Sequence, residues 1–449
     1  MTTCVNESEP DSRGLDPAMT KEKTERPRAL FPPRAELLYS SCSNRGRMPS
    51  ILRKNGTMRN EIGESLIVRA RELVPALRGR GPWTEKHHTL PPETDAEFRA
   101  AGFYKVLHPK RFGGFELALA DMVDLAVELA RGCGSSAWVF TNLVMQSWLG
   151  GMKDPRAQEE MWGDDPDTLI ASSFPGPDAR ATRVDGGFVV DGTWKFSSGI
   201  LFARWNNLQI FWKPDGGPAQ NLFALVPDSD YEVVRDWNVT ALAGTGSCSL
   251  TVREAFIPDY RISYPADTGR GRSPGSALNP GPLYRLPFWG IGGKAFAAPA
   301  VGMALGALDL LEADIAGRKG ARGGVRLAEQ PTVQVRVAES GAEIDAAWAT
   351  LVRDCDEATR MTEAGVIPDI GTCTRWRRNN SYAIVLALRA VERLMVLNGM
   401  RGMLPGDPVQ RAWRDAHAAG CQVGSAWDTQ AQSYAKARFG LFGGDPRAG

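Results

Sequence analysis

From about Asp167 to Pro258 the hydrophobic period falls towards two, and on either side of that segment apolar residues recur every three to four positions. A chain ordered helices, strands, helices does not alternate β-α-β, which argues against a Rossmann fold. The order predicts an α+β fold that is mostly α. Its parts are an N-terminal helical domain over 58–166, a central β-domain over 167–265 and a C-terminal four-helix bundle over 266–449.

Upstream, Ile62, Leu66, Ala70, Leu73, Val74 and Leu77 form the inner stripe of a first helix, with Gly79 and Gly81 as its predicted end. Helices follow around Pro92–Ala101 and through Leu119–Ala130, the latter stopped by Gly132 and Gly134. Ser135 or Ser136 then caps a helix carrying Trp138, Phe140, Gln146 and Trp148. Strands are predicted at Leu208–Trp212, Asn221–Val226, Tyr231–Arg235 and Cys248–Val252. The bundle helices run over Ala295–Ala316, from Pro331 through Cys355, from Ile370 to Asn398, and from Asp407-Pro408 to about Phe439. Residues before about Met58 mix Pro, Ser, Arg and Glu without periodicity, so 1–57 is predicted to be a disordered extension.

Fifty-three basic residues against 52 acidic ones leave a formal charge of +1, so no field favours nucleic acid or an anionic membrane. A small molecule is the expected partner. Seven scattered cysteines without a C-x-x-C pair point to a reducing cytoplasm, with neither a disulfide framework nor a zinc site. No uninterrupted apolar run approaches the roughly 20 residues that span a bilayer.

Two serine pairs frame the start of the β-segment, in Leu169-Ile-Ala-Ser-Ser-Phe-Pro-Gly-Pro-Asp178 and in Gly192-Thr-Trp-Lys-Phe-Ser-Ser-Gly199. Between them lie turn signals at Asp185-Gly186-Gly187 and Asp191-Gly192, which puts Ser173 and Ser198 near the ends of neighbouring strands. Hydroxyls there can face a planar polar ligand. By residue type alone, Ser197-Ser198-Gly199 reads first as a strand-end turn and Ser173 as a polar cap before Pro175, and only the surrounding pattern favours a ligand. Gly244-Thr-Gly-Ser247 is an ordinary loop or a cradle offering Thr245, Ser247 and backbone N–H groups to an anion. Trp138, Trp148 and Phe196 are core residues or the walls of an aromatic site.

In order and spacing, Pro109-Lys-Arg-Phe-Gly-Gly114, Ser135-Ser-Ala-Trp138, Ser172-Ser173, Trp194-Lys-Phe-Ser-Ser-Gly199, Gly244-Thr-Gly-Ser247 before Ala255-Phe-Ile-Pro258, and Arg414-Asp-Ala-His417 with Asp428 and Tyr434 resemble the acyl-CoA dehydrogenase fold. Within it they resemble the reduced-flavin-dependent, two-component monooxygenases. The resemblance covers about Met58 to Gly444. It implies reduced FMN or FAD (FMNH2/FADH2) and O2 as cosubstrates, a separate flavin reductase, and a homotetramer built through the bundle. It implies a C4a-hydroperoxyflavin that hydroxylates an aromatic or amine-bearing small molecule. By the same resemblance, Ser198 contacts the flavin N5 side, and Ser173, Phe196, Thr245, Ser247 and Trp138 hold the flavin.

Two positions depart from the family pattern. Where aromatic hydroxylases of this group often carry histidines, the chain has Gln146 and Gln422, which can orient a substrate but cannot act as a base near neutral pH. Gln146, Gln422 and Trp148 are the expected substrate contacts. Ala243 also stands where an arginine is common. Only His87, His88, His108 and His417 exist, and of these His417 alone lies in a family-like helix. The alternatives on the same scaffold are an acyl-CoA dehydrogenase, for which no catalytic Glu in a Tyr-Glu-Gly-Thr-like setting is visible, and a non-catalytic flavin- or metabolite-binding protein.

Overall fold

The computed structural model describes residues 60–217, 219–320 and 324–442. The extension expected over 1–57 lies outside the described residues, as do Cys4 and Cys42. The first helix, α1 (Glu61–His87), is capped by the Asn60 side chain, which accepts from the Ile62 N–H. It does not stop at Gly79 or Gly81. Those glycines lie inside it, and a Cβ on Gly81 would sit 2.3 Å from an Arg411 guanidinium nitrogen. Glycine there answers a tertiary contact rather than ending the helix.

Next come α2 (Pro92–Ala101), α3 (Leu119–Ala130), α4 (Gly134–Gly151) and α5 (Pro155–Trp162), the last unforeseen in the sequence. The N-cap of α4 is Cys133, and Ser135 and Ser136 lie within the helix. α4 is buried on nearly all of its circumference, as its apolar composition requires.

The strands are β1 (Ile170–Pro175), β2 (Arg180–Val184), β3 (Gly187–Ser197), β4 (Trp205–Trp212), β5 (Gln220–Pro227), β6 (Tyr231–Val234), β7 (Cys248–Pro258) and β8 (Ile262–Ser263). Their order is β6-β7-β3-β1-β4-β5-β8, with β2 paired to β3. β1 joins the halves: its start runs parallel to β4 and its end antiparallel to β3. Asp185-Gly186 makes the predicted hairpin turn, with Val184 opposite Gly187. Asp191-Gly192 does not turn; it lies within β3 where the register against β7 shifts. The bulge lets the chain stay extended.

The bundle contains α6 (Lys294–Gly317), α7 (Pro331–Glu363), α8 (Ile370–Asn398), α9 (Pro408–Gly420) and α10 (Trp427–Arg438). The expected fourth helix is thus divided. It breaks after Gly420, a single turn at Val423–Ser425 follows, and α10 restarts at Trp427. α6 packs against α3, α4, α7, α8 and α9. A Cβ on Gly302 would lie 2.3 Å from the Val127 carbonyl, so α6 and α3 approach at the glycine. The segment Phe288–Gly317 is long and apolar enough, by length and composition, to cross a membrane, although Lys294 and Asp309 interrupt its apolar run. It is mostly buried, which fits the core helix of the bundle.

Candidate active site

A bulge between Trp194 and Ser197 shapes the end of β3. Trp194 turns inward and donates to the Gln209 carbonyl at 2.8 Å, while Phe196, at φ +61°, is thrown outward and left 59% exposed, edge-on to Trp237. Ser197 and Ser198 turn back in. Such a φ is rare for a bulky residue, and the surrounding pairing holds it. The N–H of Gly199 then donates to the Thr245 carbonyl at 3.1 Å, so the strand end and the 243–247 loop hold each other.

That junction contains a run of buried hydroxyls. Ser198 Oγ lies 2.8 Å from Ser247 Oγ, and Ser247 Oγ lies 2.7 Å from Thr245 Oγ1. Thr245 Oγ1 donates to the Leu242 carbonyl at 2.8 Å, and at the other end Trp138 Nε1 donates to Ser198 Oγ at 3.2 Å. Trp138, Ser198, Thr245 and Ser247, four of the residues singled out in the sequence, therefore form one network. Ser173 is tied to it indirectly. Its hydroxyl donates to Asn206 Oδ1 at 2.8 Å, and Asn206 Nδ2 donates to Ser197 Oγ at 2.7 Å. This link locks the ends of β1 and β3 beside Ser198.

The opposite face of β1 meets α4. Ser172 and Asn207 are register partners, so their side chains share a face, and Gln146 bridges them. Gln146 Nε2 donates to Ser172 Oγ at 3.0 Å, and its Oε1 accepts from Asn207 Nδ2 at 2.8 Å. Asn207 Oδ1 is buried without a hydrogen-bond partner. Trp148, two residues beyond Gln146, lies about 200° round the helix. It is fully buried, packs with its ring tilted against Phe288 and donates to the Leu283 carbonyl, away from Gln146.

Gln422 is not in a helix with Asp415. It follows the end of α9 and begins the Val423–Ser425 turn, half-buried, with a buried Oε1 that has no partner. No hydrogen bond joins it to Gln146 among the described residues. His417 Nδ1 bonds the Trp413 carbonyl and its Nε2 meets Glu392, on the outer side of α9. Burial pushes His108 down to about 4, which keeps it neutral.

Two features escaped sequence reasoning. Asn206 and Asn207 sit in a largely apolar strand, and two adjacent buried amides were the available signal. Asp415 stands out in the sequence only as part of a motif, yet its Oδ1 accepts from the Leu242 N–H at 2.6 Å, and burial pushes its carboxyl up to about 6. Nothing replaces the missing arginine at 243 directly. Arg414 donates to the Thr240 carbonyl and to Glu85, and Arg411 donates to Glu85 at 3.1 Å. Burial opposes ionisation of Glu85, but these two guanidinium groups hold it below the usual range.

The network is neutral, buried and hydroxyl-rich beside an exposed aromatic ring. That donor set fits the polar edge and flat face of an isoalloxazine.

Comparison with known proteins identifies the family and the fold. A family model described as "Acyl-CoA dehydrogenase, C-terminal domain" matches residues 294–424. The flavin-dependent monooxygenase oxygenase subunit HsaA of Mycobacterium tuberculosis is 33% identical over 385 residues, covering 85% of this chain and 97% of the relative. The FADH(2)-dependent resorcinol hydroxylase oxygenase component of a Rhizobium species is 32% identical over 386 residues, covering 84% and 94%. Among solved structures, the 3-HSA hydroxylase of Rhodococcus sp. RHA1 superposes with a TM-score of 0.80 at 30% identity, over 85% of this chain and 98% of that one. The chain belongs to the oxygenase components of the flavin-dependent monooxygenases, on an acyl-CoA dehydrogenase-like fold.

Proposed function

We propose that this enzyme inserts one oxygen atom from O2 into an aromatic or amine-bearing small molecule, using reduced FMN or FAD delivered by a separate reductase. The observation that carries the reading is the hydroxyl network ending on Ser198 beside exposed Phe196. Reduced flavin, when bound, would supply two electrons to O2. Ser198 binds the N5 side of the ring, Trp138 and Phe196 wall it, and Thr245 and Ser247 position Ser198. Ser173 fixes the strand end through Asn206 and Ser197.

Gln146 orients the substrate together with Asn207, whose free Oδ1 accepts from a substrate O–H or N–H. Gln422 contributes its unpartnered Oε1 from the bundle side, and Trp148 supports α4 from behind. Neither glutamine can take a proton, so the substrate brings its own nucleophile: a neutral amine, or a phenol already ionised or activated by ring donors. Resorcinol, named for one relative, is such a ring. Exposed Val396, Met400, Met403 and Leu404 on the bundle supply an apolar face for tetramer assembly.

The test is a single turnover with chemically reduced flavin and 18O2, run over a panel of phenols and aromatic amines. Incorporation of one labelled atom into either class supports the reading. Hydrogen peroxide as the sole oxygen product across both classes contradicts it.

A further inference from the structure

The hydrogens of the Ser198 network have only one consistent arrangement. A carbonyl oxygen accepts and cannot donate, so the 2.8 Å contact to Leu242 uses the hydrogen of Thr245. Thr245 has no second hydrogen, so Ser247 must donate to it across 2.7 Å. Ser198 must then donate to Ser247 across 2.8 Å. The indole N–H of Trp138 can only donate, and it fills one lone pair of Ser198. What remains on Ser198 is a single lone pair, with no hydrogen to offer. All four side chains are buried, so bulk water does not compete to reverse the run.

The far end is also fixed. The Leu242 backbone sits at φ +48°, a conformation a leucine rarely adopts, and Asp415 holds its N–H. The carbonyl that receives the last hydrogen is thereby pinned from the bundle. Its other donors, the Thr245 N–H and Trp237 Nε1, confirm that it acts as an acceptor hub.

We propose that Thr245, Ser247 and Trp138 act as positioning residues that make Ser198 an obligate acceptor, so the site selects the reduced, N5-protonated flavin over the oxidised ring. The inference rests on the flavin reading above. On two-electron reduction, N5 changes from a bare acceptor to an N–H donor. An acceptor-only serine attracts the second and repels the first. Redox selectivity is therefore written into the direction of a hydroxyl run rather than into a charge.

Anaerobic titration of the full-length chain with dithionite-reduced and with oxidised FMN and FAD gives the ratio of the two Kd values. The parent should favour the reduced form by about tenfold or more, and Thr245→Val or Ser247→Ala should lose roughly five- to tenfold of that ratio, because the freed hydroxyls can turn and donate. Tenfold corresponds to about 30 mV in the two-electron potential of the bound flavin, an independent readout. Thr245→Ser, which keeps the hydroxyl, should retain the parent ratio. A ratio within about twofold of the parent in either Thr245→Val or Ser247→Ala overturns the proposal, as does a parent that binds both states equally. A parent that binds neither state removes the flavin reading itself. The two failures are therefore distinguishable, and Ser247→Ala stands if Thr245→Val does not fold.

Discussion

Asp415, in the bundle helix α9, holds the backbone N–H of Leu242, in the loop before β7, through a 2.6 Å hydrogen bond. This contact ties the C-terminal helices to the turn whose carbonyl ends the Ser198 network. Burial raises the Asp415 carboxyl to about 6, above its unfolded value, so the native state binds the proton more tightly than the unfolded chain. Its stabilising effect is full below about pH 4 and is lost as pH rises through 6. The unfolding free energy of the parent minus that of Asp415→Asn should therefore fall by roughly 3 kcal/mol between pH 4 and pH 7. Denaturant unfolding of both chains across that range checks it, and a flat difference contradicts it.

His108 should show the opposite slope. Burial lowers its pKa to about 4, so the unfolded chain binds the proton more tightly. Stability from keeping it neutral is present above about pH 6.5 and is lost as pH falls through 4. The parent minus His108→Gln difference should rise by roughly 3 kcal/mol from pH 4 to pH 7 in the same unfolding measurement.

Gln146 and Gln422 should separate substrate orientation from flavin binding. Gln146→Leu removes the bridge between Ser172 and Asn207. Its product yield per reduced flavin consumed should fall by about tenfold while peroxide rises, with the Kd for reduced flavin little changed. Gln422→Ala should show the same uncoupling to a smaller degree, because this side chain is only half-buried and contributes one unpartnered oxygen. Product and peroxide are measured together. Parent-like coupling in Gln146→Leu would remove that residue from substrate binding.

The order of helices and strands was legible because burial imposes periods of 3.6 and 2 over long segments, and Ser198, Thr245, Ser247 and Trp138 were legible because they lie in family-like motifs. Other features depend on contacts that no local window contains. Gly79 and Gly81 look like a helix end, yet α1 continues through them to His87, and Gly81 faces the Arg411 guanidinium, more than 300 positions away. The added turns carry Thr84 and Glu85 to the loop and the α9 arginines. Extending the helical period through Gly420 and Gly424 puts Gln422 in a helix, where the chain instead turns and restarts. Trp148 shares a helix with Gln146 but faces the other way. Asn207 sat in an apolar strand and gained its meaning only from the register of β1 against β4.

The role of Ser198 is tested most directly without any substrate, by following peroxide release when protein loaded with reduced flavin is mixed with oxygen. If Ser198 binds the N5 side of the ring in a water-poor site, the parent should release peroxide at least about tenfold more slowly than free reduced flavin, and Ser198→Ala should recover most of that rate. Equal rates for the parent and Ser198→Ala, with both shown to bind reduced flavin, would contradict the account.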